Sequence, residues 1–422
     1  MMTPPKAGNT ADLGLMRELN KAIVLNLIRQ EGSISRAAIA KRTQLSRSTV
    51  SNIITELLEQ EVVEESGTGP SRVGRRPILV NFNYQAGYVV GVDLGATHLL
   101  TILTDLEGRV LAEHDRQISV ADGPDVVLPA IVKAVHDIVM KGGVQLEQVV
   151  GVGVGIPGPL DQKQGTLVMP PIMPGWHNYP FRNRLRLELG RPIYIDNDAN
   201  LGALGEKWRG AGQQHDNFAY IKVGTGIGCG LILNGQVYRG EVGSAGEIGH
   251  ITIDEDGPRC TCGNYGCLEA MAGGQALVAA ARAANQLVEA HMTGNTIQRS
   301  LSNQALAADF SVEQIVRTAD AGDRHSLEIL HTAGRHIGVA LSSLINLLNP
   351  GLVIVGGGTA AAGDILLDAI RQTVQQRALP VAWEHTTIVR AYLGREAIAV
   401  GAVTTVLQET FKSPNLEIAT HL

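Results

Sequence analysis

Residues 221–250 read IKVGTGIGCGLILNGQVYRGEVGSAGEIGH. Entered from Phe218, this is a buried strand to Val223, a glycine turn over Gly224-Thr225-Gly226-Ile227-Gly228, and a returning strand from Cys229 to Leu233. The same order occurs earlier in the chain. Tyr88-Val89-Val90-Gly91-Val92-Asp93-Leu94-Gly95-Ala96-Thr97 is a buried strand entering a tight turn with an acidic end. Strands over 99–104 and 110–114, a helix over 125–141 and a strand over 149–156 follow it. In the second half, helices lead to the strand Leu352-Val353-Ile354-Val355 and the run Gly356-Gly357-Gly358. Two halves with one strand-turn-strand order predict an α/β body of two similar lobes. Gly153-Val154-Gly155-Ile156-Pro157-Gly158 fits G-x-G-x-x-G only formally, because Pro157 and Pro159 stop it from opening a helix. A dinucleotide site there is excluded.

The quoted run ends at His250, and three of the four cysteines follow close together at Cys260, Cys262 and Cys267. That spacing is poor for disulfides and good for a metal. Three thiolates with the His250 imidazole make a closed, four-ligand set of the structural Zn2+ type. A closed set leaves no position for a water, so a hydrolytic role is not expected. The plainer alternative is three buried thiols without metal. Cys229 lies outside the cluster and reads as a small core residue.

The segment before the body differs in charge. The chain of 422 residues carries a net charge of −6, yet residues 1–80 hold 11 Lys and Arg against 8 Asp and Glu. Within 21–50 only Glu31 opposes six basic residues. A basic block on an acidic protein predicts an anionic partner for that block. Residues 17–30 place Leu19, Ile23, Leu27 and Ile28 on one helical face. Ser35 can cap a short second helix with Ala38 and Ile39 inward, and Ser46 a third that buries Val50, Ile54, Leu57 and Leu58. This is the helix-turn-helix order. The third helix opens with Arg47, Ser48, Thr49, Ser51 and Asn52, donors and acceptors suited to base edges and phosphates. Short strands over 62–66 and 77–82 around a loop predict a wing, and Arg72, Arg75 and Arg76 on that loop suit a narrow minor groove. The start, MMTPPKAGNTADLG, lacks the apolar core of a signal peptide. No window reaches about 18 uninterrupted apolar residues. A cytoplasmic protein with no membrane span is expected.

The duplicated order resembles the actin/hexokinase/Hsp70 superfamily, in which two ribonuclease-H-like lobes enclose a ligand cleft. The quoted run, followed by CTCGNYGCLEA from Cys260 to Ala270, resembles the signature and zinc motif of the ROK family of repressors and sugar kinases. The resemblance covers roughly residues 88–411. With a helix-turn-helix in front, the whole chain resembles the family's sugar-responsive repressors, because its kinases lack that module. The implied division is a winged helix-turn-helix over 1–82, a first lobe over 83–200, and a second lobe with the zinc loop over 201–422. The implied partners are palindromic operator DNA, a monosaccharide effector and further copies of the chain, as a homodimer or homotetramer.

The resemblance also implies the sugar site: Asn197 and Asp198 at the end of a strand, Glu247 and His250 in the E-x-G-H segment, Glu269 after the last zinc cysteine, and Gly158. The loop through Trp176 and Asn178 is expected to close the pocket. The plainer alternative for Asp198 is the N-cap of the next helix; both can hold, and ligand contact is favoured. In the family's kinases it is the catalytic base that takes the proton of the attacked hydroxyl. Their first phosphate turn is Asp-x-Gly-Gly-Thr-Lys, and this chain has Asp93-Leu94-Gly95-Ala96-Thr97-His98. Ala96 puts a methyl where backbone should approach phosphate, and His98 replaces a permanent cation with a mostly neutral ring. Gly224, Thr225, Gly226, Gly356 and Gly357 are kept. Two expectations therefore stand: a repressor released by sugar, favoured by the damaged first turn, and an ATP-dependent sugar kinase with an appended DNA-binding domain.

Overall fold

The protein is described from a computed structural model over residues 10–68, 76–168, 170, 173–292 and 311–412. Helices α1 (Thr10–Glu31), α2 (Arg36–Thr43) and α3 (Arg47–Glu59) precede a wing. The wing is a three-stranded sheet in the order β1-β3-β2, from β1 (Ile34–Ser35), β2 (Val63–Thr68) and β3 (Ile78–Phe82). Ser35 Oγ accepts from the Ala38 amide at 3.2 Å and Ser46 Oγ from the Thr49 amide at 3.0 Å, so both predicted helix caps form. Helix α3 buries Val50, Ile53, Ile54 and Leu57.

The inward face of α1 differs from the predicted one. Val24, Leu25 and Ile28 are buried, whereas Leu19 and Ile23 are 41% and 52% exposed. The line is turned because Lys21 belongs to it. Its stem is buried and its ammonium reaches Glu56 Oε1 at 2.7 Å and Gln60 Oε1 at 2.9 Å, tying α1 to α3.

The first lobe contains β4 (Tyr88–Leu94), β5 (His98–Asp105), β6 (Val110–Gln117), α4 (Pro124–Lys141), β7 (Val149–Ile156), the hairpin β8 (Leu160–Asp161) and β9 (Thr166–Leu167), α5 (Phe181–Leu189) and β10 (Ile193–Asn197). Helix α6 (Asp198–Arg209) then crosses to β11 (Phe218–Val223), β12 (Ile227–Leu233) and β13 (Gln236–Tyr238). After them come α7 (Leu268–Ala272), α8 (Gly274–Met292), α9 (Val312–Asp320), α10 (Arg324–Leu348) and β14 (Leu352–Gly356). The last described elements are α11 (Asp364–Arg377), α12 (Pro380–Trp383), β15 (Thr387–Arg390) and α13 (Ala397–Lys412). In the first sheet, β4 has antiparallel β5 and then β6 on one side and parallel β7 and then β10 on the other. In the second sheet, β11 has antiparallel β12 and β13 on one side and parallel β14 and β15 on the other. The two orders are identical, as the duplicated pattern predicts. The central strands are apolar runs because helices cover both faces. Among the described residues, no helix is long and apolar enough to cross a membrane.

Helix α13 covers the face of the first sheet opposite α4, and at glycine positions its backbone comes into direct contact with its neighbours. A Cβ on Gly153 of β7 would lie 2.3 Å from the Ala402 carbonyl oxygen, and one on Gly401 would lie 1.8 Å from that of Leu201 in α6. That close approach is the use of a glycine in the G-x-G-x-x-G run. The far end of α13 belongs to the N-terminal domain's core. Val403, Val406, Leu407 and Phe411 cluster with Leu25, Ile28, Val80 and Phe82. Phe411 meets Phe82 edge-on at 5.7 Å, lies under the Arg29 guanidinium at 4.0 Å, and accepts at its carbonyl from Asn26 Nδ2 at 3.2 Å.

Phe411→Ala should therefore cost about 3–5 kcal/mol, the usual range for a buried phenylalanine. It should also let the N-terminal domain melt apart from the body. Scanning calorimetry would read this as a new, earlier transition, and one unchanged transition would contradict the shared core.

Candidate functional site

Two surfaces carry chemistry. On the first, Arg47, Ser48 and Asn52 of α3 are exposed, and Thr49 and Ser51 are half-buried. Gln44 takes a left-handed conformation at φ 59° and turns the chain from α2 into α3. Ser46 Oγ lies 2.8 Å from both Ser48 Oγ and Thr49 Oγ1, holding the start of α3 in register. Further along α3, Glu56 binds Lys21 and Arg17, the latter at 2.9 Å. Helix α3 is thereby tied to α1 while its opening turn stays exposed. Arg76 is exposed just before β3. Arg72 and Arg75 lie outside the described residues.

The second surface is the cleft where the two sheets' turns meet. Strand β10 delivers Asn197 and Asp198. Asn197 Oδ1 accepts from the amides of Ala199 at 2.9 Å and Asn200 at 3.3 Å, and its Nδ2 donates to the Gly158 carbonyl at 3.2 Å. The N-cap is thus Asn197, not Asp198 as the sequence suggests. The helix starts one residue earlier than expected, so Asp198 is its first helical residue. Its Oδ1 accepts from the Ala199 amide at 2.7 Å, and its Oδ2 is bound by the ammonium of Lys222. Beneath them, Asp196 accepts from Arg239 Nε at 3.0 Å and Nη2 at 2.6 Å, and from Asn200 Nδ2 at 3.2 Å. Arg239 starts the loop to Glu247 and His250, so this fork ties the two lobes together.

At the first turn, the His98 ring folds over Gly95. A Cβ there would meet ring atoms at 2.1 Å. His98 Nε2 lies 3.2 Å from Asp93 Oδ2, and that hydrogen bond raises the His98 pKa against the opposing effect of burial. Ala96 packs on the first lobe's core and Thr97 is exposed. At the second turn, the Gly224 amide donates to the Gly226 carbonyl at 2.9 Å, with Thr225 half-buried between them. Glu269, from α7, accepts from the Ile227 amide at 3.0 Å. Burial raises the Glu247 carboxyl pKa; the charges of Asp198 and Glu269 add to the rise and His250 opposes it. Gly356 and Gly357 end β14, with Gly357 in the left-handed region at φ 88°.

Two residues stand apart from expectation. Trp176 does not face the cleft. It is fully buried in the first lobe and its Nε1 donates to the Val120 carbonyl at 3.1 Å. Lys222 was not singled out from the sequence, although a lysine in the apolar strand Phe218–Val223 needs a partner charge.

His250, Cys260, Cys262 and Cys267 converge, with their ligand atoms all within 4.8 Å of one another. Cys262 Sγ and Cys267 Sγ are 3.7 Å apart, and Cys260 Sγ is 3.6 Å from His250 Nδ1. A tetrahedral ion with bonds of about 2.3 Å sets sulfurs about 3.8 Å apart. The four residues therefore fit a metal ion. Cys229 is buried elsewhere and burial pushes its thiol up to about 12.

Comparison with known proteins adds three findings. The ROK family pattern matches residues 89–409, and the MarR family pattern matches residues 17–76. The chain is 32% identical to the xylose repressor of Bacillus subtilis over 391 residues, covering 93% of this chain and 95% of that one. It is 30% identical to the N-acetylglucosamine repressor of Shigella flexneri over 402 residues, covering 95% of each. A crystal structure of a ROK family transcriptional regulator, a homologue of the Escherichia coli MLC protein, superposes with a TM-score of 0.75 at 27% identity. That match covers 96% of this chain and 99% of the other.

Elemental analysis should find one metal ion per chain. Cys262→Ser should lose most of it and lower the melting temperature, whereas Cys229→Ser should keep it. Full metal occupancy in Cys262→Ser would contradict the four-ligand assignment.

Proposed function

This chain belongs to the ROK family and carries a MarR-type domain ahead of the family's body, and from that premise we propose that it is a sugar-responsive transcriptional repressor released from its operator by a monosaccharide. The observation that carries the proposal is the reach of α13. It packs along α6, the helix that begins at Asn197 and Asp198, and its end lies in the core of the winged helix. A sugar that drew the lobes together around Asn197 would move α6 and α13 as one body. In a dimer, that movement would shift two recognition helices relative to half-sites about 34–36 Å apart on a palindromic operator. The sugar must bind the DNA-incompetent arrangement more tightly to do this.

Within this proposal the DNA-binding domain is 1–82, and the lobes are 83–200 and 201–422. Arg47, Ser48, Thr49, Ser51 and Asn52 read the major groove, while Arg72, Arg75 and Arg76 follow the minor groove. Asn197, Asp198, Glu247, Glu269 and Gly158 form the sugar site, with His250 beside them. We assign Zn2+ to the thiolate set. Its chemistry is that of a cross-link, holding the His250–Cys267 loop and through it Glu247 and Glu269. A cytoplasmic location and a dimer or tetramer complete the proposal.

A sugar kinase is the second candidate, supported by Asp198 and the surviving glycine turns. The first turn weighs against it: Ala96 and His98 stand where the family's kinases have glycine and lysine, and the His98 ring is bonded to Asp93.

Fluorescence anisotropy with DNA from the gene's own upstream region tests the proposal. The full chain should bind at about 10⁻⁸ M or tighter and weaken steeply with salt. One monosaccharide should release it without ATP, and Arg47→Ala with Asn52→Ala should abolish binding. No binding to this or a random duplex at low salt would contradict it, and sugar-dependent ADP release abolished by Asp198→Asn would bring the kinase forward.

A further inference from the structure

The Lys222–Asp198 pair spans the cleft from β11 to the start of α6, and both partners are largely buried. Burial by itself would depress the Lys222 pKa, but the charges of Asp198, Asp93 and Glu269 outweigh it and raise it, so the ammonium is held charged. Resting on the sugar-site reading above, we propose that Lys222 is the specificity-determining residue of the cleft, and that with Asp198 it selects an uncharged monosaccharide over a phosphorylated one.

The hydrogen-bond inventory supports the first half. A carboxylate has about four lone-pair sites, and the Ala199 amide and Lys222 engage two of those on Asp198. Those remaining suit the donor protons of neighbouring hydroxyls. An ammonium has three donors, and the bond to Asp198 uses one. The pair therefore offers fixed acceptors beside fixed donors, which is what hydroxyls require, since each both donates and accepts.

The charge balance supports the second half. Asp93, Asp198, Glu247 and Glu269 act on one another or on Lys222 across this space. Among the described residues, the Lys222 ammonium set against them is committed to Asp198, and the His98 ring is hydrogen-bonded to Asp93. The Arg239 guanidinium is committed to Asp196. A phosphate dianion would enter a net negative cleft whose cations are already paired, and like-charge placement opposes binding.

Calorimetric titration of the full chain tests this directly. The probes are D-xylose, D-glucose and N-acetyl-D-glucosamine, each against its terminal phosphate ester. One uncharged sugar should bind at least about tenfold more tightly than its ester. Lys222→Met should weaken that sugar by about 10–100-fold, the range for a lost charge-assisted hydrogen bond. Lys222→Met with Asp198→Asn, which removes both charges together, should be as weak. A wild-type far-ultraviolet circular dichroism spectrum and a single cooperative melt should show that both variants are folded. Equal or tighter binding of an ester, or wild-type sugar affinity in Lys222→Met, would overturn the inference and leave the repressor proposal standing. Failure of every sugar and every ester to bind a chain that still binds its operator would overturn the sugar site itself.

Discussion

The structure depends on the backbone-to-backbone packing of α13. One helix is the cover of the first sheet, the neighbour of α6 and part of the core of the winged helix. Gly153 and Gly401 permit it, because any side chain at either position would collide with a carbonyl oxygen. With backbone contact at Gly401 and the side chains of Leu201 and Leu204 packed on Ile398 and Ala402 around it, α6 and α13 should move together. A displacement at Asn197 would then reach Phe411, against which the N-terminal domain packs its core.

The cleft obeys a complementary constraint. Buried carboxylates are costly unless paired, and three of those at the cleft are paired by the protein itself. Lys222 compensates Asp198, His98 meets Asp93, and Arg239 meets Asp196. The third pair joins the end of β10 to the loop that leads to Glu247 and His250. The converging His250, Cys260, Cys262 and Cys267 lie at the other end of that loop. The residues proposed to hold the sugar are thus approached from both lobes, and on that proposal binding would report the lobes' relative position.

Much of this was legible in the sequence. The duplicated strand-turn-strand order, the caps at Ser35 and Ser46 and the Cys/His spacing are local patterns with local physical causes, and each forms as expected. The convergence of Asn197, Asp198 and Gly158 was also anticipated, although the cap fell on Asn197. What escaped was set by contacts distant in sequence. The inward line of α1 is turned by the partner of Lys21 on α3, Trp176 is drawn inward by the Val120 carbonyl, and Lys222 becomes meaningful only when Asp198 faces it. The role of Phe411 was hidden for the same reason, because an amphipathic helix at the end of a chain does not declare which core it joins.

Hydrogen exchange on the full chain, with and without the sugar that releases DNA, tests the central claim most directly. The account predicts altered protection at 197–209 together with 399–411 and the inner turns of α1 around Val24 to Ile28. Altered protection confined to the cleft, while DNA is nonetheless released, would contradict it.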